Sequence, residues 1–378
     1  MTQPLSPAFL DVPDRTWLNT AHQGKLPLAA AEAAHEAVDW KLAPHELTAE
    51  RFLEVPSRLR AVLARLVHSP PDEIVLANSA SYGLHAIAGA YPWAEGDEVL
   101  VMAGDFPSDI LPWLTLEPRH GVRVRRIEPA DRVVAPDELA AAITPRTRVF
   151  CTTWVHSFSG CAVDLDALGQ ICRERGVFFV VNGSQAVGAR PVDVGTAPID
   201  ALVSVGFKWL CGPYGTGFTW IHPRLRERLW QTKAYWLAQL TQADLARDDL
   251  DVTLERGVHD LDIFGTANFN AYVPWTVAVE HVLDIGVDRI RAHDDALVER
   301  LIGQLADTGM VVLSPSDPAG RSTLVYFSHP ERARNADLHG RLARAGIDVA
   351  SRGGSLRASP HLYNGSADID RLTDALRV

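Results

Sequence analysis

Short apolar runs alternate with segments of helical periodicity along most of the chain. The apolar runs are rich in β-branched and aromatic residues and end in polar breaks, which is typical of strands buried on both faces. They predict strands at 73–77, 98–101, 122–127, 149–153, 177–181 and 201–205, and the helical spacing predicts helices at 29–47, 49–66, 84–91 and 165–175. This alternation indicates a parallel, doubly wound α/β sheet with its site at the carboxyl ends of the strands.

The pattern changes towards the C-terminus. One or two long helices are predicted over 272–305, followed by strands at 311–313, 324–327 and 347–349 and by a helix at 336–345. We therefore expect a smaller C-terminal α+β domain, which fits the division into domains that 378 residues favour.

Composition narrows the class of protein. The net charge is −11 and no basic cluster is present, which argues against a nucleic acid or an anionic membrane surface as partner. The four cysteines have no Cys-x-x-Cys spacing and are too few for a disulfide scaffold. The N-terminus lacks the order of a signal peptide, and no apolar run approaches the ~20 residues of a membrane span. We expect a cytoplasmic enzyme.

One lysine stands out. The chain has only four lysines among 36 basic residues, and Lys208 follows the apolar run 201–205 directly. Arginine stays protonated, whereas lysine can lose its proton and form a Schiff base with an aldehyde. A lysine in an apolar context beside a strand end therefore indicates chemistry that arginine cannot perform.

Two motifs around Lys208 make the sequence recognisable. The chain reads Asn-Gly-Ser-Gln at 182–185 and Lys-Trp-Leu-Cys-Gly-Pro at 208–213. This resembles the class V aminotransferase-like family of fold-type I, which uses pyridoxal 5'-phosphate (PLP) and includes cysteine desulfurases, selenocysteine lyases and isopenicillin N epimerase. The resemblance implies that Lys208 binds the PLP aldehyde and that Gln185 contacts the phenolic oxygen. Asn182 departs from the family, which has an aspartate there to keep the ring nitrogen protonated.

The resemblance also implies a fold and its divisions. We expect a large domain with a mostly parallel seven-stranded sheet flanked by helices at 29–265, preceded by an arm at the active-site mouth over 1–28 and followed by the small domain at 266–378. Gly-Thr-Ala-Asn at 265–268 is similar to a family motif that reaches the phosphate of the neighbouring subunit's PLP. A homodimer with Thr266 in that role follows from the resemblance.

Further cofactor contacts are implied at three segments. The polar turn before the helix at 84–91 is expected to bind the phosphate, since a helix N-terminus favours an anion. Asp-Phe-Pro-Ser-Asp at 105–109 resembles the Glu-Phe-Pro-Ser-Asn of the epimerase and lyase branches, and places an aromatic ring where cysteine desulfurases stack a histidine. In the loop after 149–153, either His156 or Ser157 is expected to contact cofactor or substrate. The other residues of this set are Ser79, Ala80, Ser81 and Phe106.

The substrate contacts are implied in the same way. Arg357 matches the family arginine that holds the substrate carboxylate with a bidentate fork. His22 of the N-terminal arm could face the substrate or be a solvated loop residue, and Tyr235 and Trp236 could line a bulky substrate pocket or a subunit interface. Desulfurases carry a catalytic cysteine between the positions of Arg352 and Arg357, and this chain has none there.

These features favour a PLP enzyme acting on an α-amino acid. Carbon–sulfur β-elimination from a cysteine S-conjugate is preferred, because Asn182 makes the ring a poorer electron sink and elimination expels its leaving group promptly. Decarboxylation-coupled oxidative deamination, epimerisation and a degenerate, non-catalytic PLP binder are the alternatives. The resemblance extends to the PLP enzymes of lincosamide antibiotic pathways that act on S-glycosylated cysteine conjugates, and no motif separates their β-lyase from their decarboxylating deaminase.

Overall fold

The computed structural model describes residues 2–230, 235–249 and 257–377. Its helices, numbered α1 to α14, are Leu28–Leu42, Ala49–Val67, Ala80–Ala90, Pro107–Leu114, Glu117–His120, Pro136–Ala142, Leu165–Glu174, Pro223–Arg226, Trp236–Gln239, Gln242–Leu245, Phe269–Ile285, Val287–Ala306, Asn335–Arg344 and Ser366–Leu376. Its strands, β1 to β13, are Thr16–Trp17, Ile74–Ala77, Glu98–Met102, Arg123–Ile127, Thr147–Thr153, Phe178–Asn182, Ala201–Val205, Gly217–Ile221, Val311–Val312, Val325–Ser328, Ile347–Asp348, Ala350–Arg352 and Ser355–Ala358. None of these helices is long and apolar enough to cross a membrane.

Seven strands of the described chain form the large sheet, in the order β2-β8-β7-β6-β5-β3-β4. The five strands from β7 to β4 run parallel, and β8 is antiparallel to both of its neighbours. Strands β3, β6 and β7 are buried along their whole length, which is why their sequences are mostly apolar. The predicted α/β fold with a mostly parallel seven-stranded sheet is confirmed.

Each face of this sheet carries its own hydrophobic core, because successive side chains of a strand point to opposite faces. Along β5, Phe150 belongs to one core and Val149 and Cys151 to the other. Helix α2 covers the first core and α3 the second. The helices therefore lie on both faces of the sheet and leave the carboxyl ends of the strands open for a site.

The smaller sheet has the order β12-β13-β10-β9 and is antiparallel. Residues of α12, α13 and α14 share its hydrophobic core. The strand predicted at 347–349 differs from the structure: Ile347–Asp348 pairs in parallel with Thr16–Trp17 of the N-terminal arm, and Ala350–Arg352 is the strand that joins the sheet. The arm is thus tied by backbone hydrogen bonds to β11, which directly precedes the strands of the small sheet in the chain.

A buried ion pair connects the C-terminal part of the chain to the turn that carries Lys208. His361 donates from Nδ1 to Asp294 Oδ2 at 2.8 Å and from Nε2 to the carbonyl of Trp209 at 3.0 Å. Burial alone would lower the pKa of His361, but the Asp294 carboxylate and its hydrogen bond raise that pKa to about 10. The imidazolium therefore holds the turn that carries Lys208 through the carbonyl of Trp209.

Replacing Asp294 by alanine leaves a buried imidazolium unpaired, so we expect the free energy of unfolding to fall by about 3–5 kcal/mol. Because folding raises the pKa of His361 from 6.5 to about 10, this stabilisation is complete below pH 6.5 and is lost as the pH rises towards 10. Urea denaturation of both proteins across this pH range measures the difference.

Asp295→Ala is the matched control. This neighbouring carboxylate is 44% exposed and pairs with Arg291 at 3.6 Å on the surface, so its loss should cost less than about 1 kcal/mol. Equal losses for the two variants would contradict a special role for the buried pair.

Candidate active site

A cavity of about 500 Å³ opens at the carboxyl edge of the large sheet. It brings together segments that follow five of the strands, the N-terminal arm and the hairpin of β12 and β13. Ten of the residues predicted for the site line it: His22, Ser79, Ala80, Ser81, Phe106, Ser157, Asn182, Gln185, Lys208 and Arg357. Residues that were not predicted also line it, among them Ser108, Thr153, Phe158, Tyr214 and Arg352.

Lys208 lies at the base of this cavity, three residues after β7 ends at Val205. Burial, together with the positive charge of Arg357, lowers the pKa of Lys208 to about 7. Its Nζ is 5.9 Å from the ring centres of both Phe106 and Phe207. Near neutral pH a large share of this amine is therefore unprotonated and able to attack an aldehyde.

The N-terminal arm passes directly against the backbone of Lys208. The Gly24 N–H donates to the carbonyl of Phe207 at 2.9 Å. A Cβ atom added to Gly24 would lie 2.0 Å from the carbonyl oxygen of Lys208, so only glycine allows this approach. The arm thereby brings His22 to the cavity, where burial and the charges of Arg352 and Arg357 lower the pKa of His22.

The N-terminus of α3 opens into the same cavity. Ser79 caps the helix, with its Oγ accepting the N–H of Tyr82 at 3.2 Å and donating to Asn78 Oδ1 at 3.0 Å. The hydroxyl of Ser79 is thus engaged in capping, whereas Ala80 and Ser81 occupy the first turn. The free N–H groups of this turn and the helix dipole favour a phosphate.

Gln185 is held by two hydrogen bonds. Its Oε1 accepts from Trp209 Nε1 at 3.1 Å, and its Nε2 donates to the carbonyl of Ala21 at 3.1 Å. An amide NH₂ has two hydrogens, so one donor remains for a ligand in the cavity. The same contacts tie the Lys208 turn to the arm.

Asn182 is buried at the end of β6 and contacts a residue that sequence reasoning missed. Its Nδ2 donates to Asp109 Oδ1 at 2.7 Å, and its Oδ1 accepts the N–H of Ser184 at 3.0 Å. Asp109 is completely buried in α4. The one signal for it in the sequence was that the motif at 105–109 ends in aspartate rather than asparagine.

Arg357 is a buried guanidinium without a carboxylate partner in the described structure. Its Nη2 donates to Asn19 Oδ1 at 3.2 Å, and its Nε has no hydrogen-bond partner. Burial lowers the pKa of Arg357. A buried cation is costly unless it is paired, so this group is suited to a carboxylate that enters the cavity.

The structure distinguishes between His156 and Ser157, the two residues of which one was predicted to contact the cofactor or the substrate. Ser157 lines the cavity, whereas His156 lies behind its wall and bonds Ser159 Oγ at 2.8 Å and the carbonyl of Gly104 at 3.1 Å. Phe106 is 41% exposed and faces the cavity beside Phe158, so its ring is available for stacking.

Besides His156, three predicted residues lie outside the cavity that contains Lys208. Thr266 lines a second cavity of about 440 Å³. Tyr235 packs against Phe264 at 5.2 Å and Trp236 at 5.8 Å between ring centres, and α9 contributes to the same second cavity. A role of Thr266 at the site of a neighbouring subunit stays a prediction.

The sequence matches the aminotransferase class-V family over residues 43–372, and the chain belongs to that family. It is similar to isopenicillin N epimerase from Streptomyces clavuligerus, with 28% identity over 383 residues that cover 95% of this chain and 93% of that protein. It is also similar to a probable cysteine desulfurase from Methanothermobacter thermautotrophicus, with 27% identity over 344 residues, 84% of this chain and 82% of that protein.

Two solved structures of C-DES share the fold. The cystine C–S lyase in complex with its reaction product cysteine persulfide has a TM-score of 0.86 and 21% identity, and the match covers 97% of this chain and 98% of that chain. A lysine-to-alanine mutant with glycine covalently linked to the PLP cofactor has a TM-score of 0.88 and 21% identity, with 97% of each chain covered. PLP is the cofactor of this class of enzyme.

The residues of the cavity fit PLP. Lys208 can bind its aldehyde, the N-terminus of α3 its phosphate and the spare donor of Gln185 its phenolic oxygen. Two buried polar atoms of residues that line the cavity have no hydrogen-bond partner in the described structure, Ser184 Oγ and Arg357 Nε. Buried polar atoms are normally hydrogen-bonded, so both are suited to bind a ligand.

The lowered pKa of Lys208 is testable without cofactor. In the apoprotein, an amine-acylating reagent should label Lys208 with a midpoint near pH 7, because only the unprotonated amine reacts. A lysine peptide, with a pKa of about 10.4, is the reference, and mass spectrometry of the labelled peptide is the measurement.

Arg357→Gln should move this midpoint upward, since the guanidinium helps to lower the pKa of Lys208. Arg58→Gln, which removes a surface partner of Glu280, is the control and should not move it. A Lys208 midpoint equal to that of the peptide would contradict the described environment.

Proposed function

We propose that this PLP-dependent enzyme cleaves the carbon–sulfur bond of an α-amino acid of the cysteine S-conjugate class by β-elimination. The observation that carries the proposal is a cationic cavity with a reactive lysine and no thiol. Among the described lining residues, Lys208, Arg352 and Arg357 are cationic and none is acidic or a cysteine.

The hairpin at the cavity mouth argues against sulfur transfer to the enzyme. Strands β12 and β13 are joined by only Gly353 and Gly354, with φ of 54° and 74°, and Arg352 pairs with Ser355. Such a two-residue turn needs glycine-like conformations at both positions. It occupies the place where cysteine desulfurases, by resemblance, carry a catalytic cysteine on a loop.

The cysteines of this chain lie elsewhere. All four are buried, at positions 151, 161, 172 and 211. Burial raises the pKa of Cys151, Cys161 and Cys172, which disfavours the nucleophilic thiolate. The sulfur must therefore leave with a fragment of the substrate.

The arrangement assigns a task to each group. Arg357 binds the substrate carboxylate, with Asn19 fixing the guanidinium. When bound, PLP supplies a ring that withdraws electrons from Cα. Lys208 Nζ takes the Cα proton, the thiolate leaves Cβ with the electrons of the C–S bond, and one water is consumed to give pyruvate, ammonia and thiol overall.

Epimerisation is the second candidate, favoured by the similarity to isopenicillin N epimerase. It needs proton exchange on both faces of Cα, and His22 is a second titratable group at the cavity. Incubation with cysteine S-conjugates separates the alternatives: pyruvate and thiol support β-elimination, whereas inversion at Cα supports the epimerase. Release of carbon dioxide with an aldehyde would contradict both alternatives and support decarboxylating deamination.

Arg357→Ala should raise KM for the amino acid by roughly ten- to a hundred-fold, since a hydrogen bond to a charged group contributes about 1.5–3 kcal/mol. Arg357→Lys keeps the charge but loses the fork, so its KM should lie between those of the wild type and Arg357→Ala. Steady-state kinetics gives the values, with Arg58→Ala as the control. An unchanged KM would remove the carboxylate role of Arg357.

Thiol alkylation tests the proposal independently. Because all four cysteines are buried and none lines the cavity, treatment of the holoenzyme with an alkylating reagent should leave product formation unchanged. Loss of activity in step with alkylation of one cysteine would indicate an enzyme-bound persulfide and overturn the proposed lyase.

A further inference from the structure

The carboxyl group of Asp109 contacts Asn182 and does not line the cavity. Asp109 is in α4, three residues after Phe106, and has no exposed surface. Its Oδ1 accepts the Nδ2–H of Asn182 at 2.7 Å, whereas Asp109 Oδ2 has no hydrogen-bond donor in the described structure. The carboxyl is therefore one hydrogen bond removed from Asn182, which lines the cavity.

The two neighbours of Asn182 determine the orientation of its amide. Asp109 Oδ1 needs a donor, and the backbone N–H of Ser184 needs an acceptor. Both requirements are met only when Nδ2 points to α4 and Oδ1 to the turn after β6. The second Nδ2 hydrogen has one weak partner, Ser108 Oγ at 3.4 Å, and Ser108 also lines the cavity. Asn182 thus has a donor to spare.

Asp105 lies beside Asp109 and accepts more hydrogen bonds than Asp109 does. It accepts from Thr152 Oγ1 at 3.1 Å, from the N–H of Thr153 at 2.9 Å and from the N–H of Phe106 at 2.7 Å. The charge of Asp105 raises the pKa of Asp109. Two neighbouring buried carboxyls are not both readily ionised, so Asp105, which has more donors, holds the charge and Asp109 holds a proton.

The surroundings of Asp109 agree with a protonated group. Burial and the charge of Asp105 raise the pKa of Asp109 well above its usual range, against the opposing influence of the Asn182 hydrogen bond and of Lys208. The remaining titratable neighbour, Cys151, is itself buried, and burial raises its pKa. In this arrangement no carboxylate is among the described residues that line the cavity beside Asn182.

The sequence shows the same relation as an exchange. Residues 105–109 resemble a motif that ends in asparagine, and residue 182 stands where the resembling family has aspartate. This chain has Asp109 and Asn182, which are in direct contact. Relative to the family motifs, the acid and the amide are thus exchanged between these two positions, and an amide rather than a carboxylate lines the cavity.

We propose that Asn182 donates a hydrogen bond to the ring nitrogen of PLP and holds it unprotonated, and that Asp109 is the positioning residue that fixes the amide in this orientation. The inference rests on PLP as cofactor but not on the proposed substrate. It explains how the chain could favour elimination, in which the charge on Cα is short-lived, over reactions that need prolonged storage of charge in the ring.

The test is nitrogen NMR of the holoenzyme loaded with PLP labelled with ¹⁵N in the ring. A wild-type shift typical of pyridine is expected, and the exchange variant Asp109→Asn with Asn182→Asp should move the shift to that of pyridinium. This variant has the same composition as the wild type, and circular dichroism checks its fold. A pyridinium shift in the wild type, or an unchanged shift in the exchange variant, would overturn the proposal.

A second measurement needs no cofactor. Infrared spectroscopy of the apoprotein at neutral pH should show a protonated carboxyl band that is lost in Asp109→Asn, and absence of that band in the wild type would contradict a proton on Asp109. The visible absorption of bound PLP reports cofactor binding separately. Failure of the PLP assignment and failure of this inference are thereby distinguished.

Discussion

The structure depends on surrounding one lysine amine in such a way that its neutral form is accessible near neutral pH. Lys208 lies at the base of the cavity, and the nearby charge of Arg357 adds to the effect of burial in lowering its pKa to about 7. An isolated buried ammonium would be costly, and the fold avoids that cost by making the neutral form accessible. The neutral amine is also the nucleophilic form, so the lowered pKa of Lys208 both reduces the cost of burial and makes the amine reactive.

The turn that carries Lys208 is held from several directions. Gly24 of the arm packs on its carbonyl, His361 bonds the next carbonyl, and the indole of Trp209 is bonded to Gln185. Each of these contacts comes from a different part of the chain, which fixes the amine in position as well as in protonation state. Rigid support of this kind is what a covalent cofactor site requires.

The sequence predicted the fold and the position of Lys208 better than it predicted the long-range contacts around them. Strands buried on both faces and a lysine after one of them are local signals, so β6, β7 and Lys208 could be located. Strand β1 has two residues and pairs with Ile347–Asp348 more than 300 residues away, and no periodicity announces such a contact. Asp109 acquires meaning only when the fold brings α4 beside the end of β6.

The most direct test of the account is to reduce the holoenzyme with borohydride, digest it and locate the cofactor by mass spectrometry. The account predicts the pyridoxyl group on the peptide that contains Lys208, and its loss in Lys208→Ala with PLP still bound non-covalently by the rest of the cavity. Attachment at any of the other three lysines of the chain, or attachment that persists in Lys208→Ala, would contradict it.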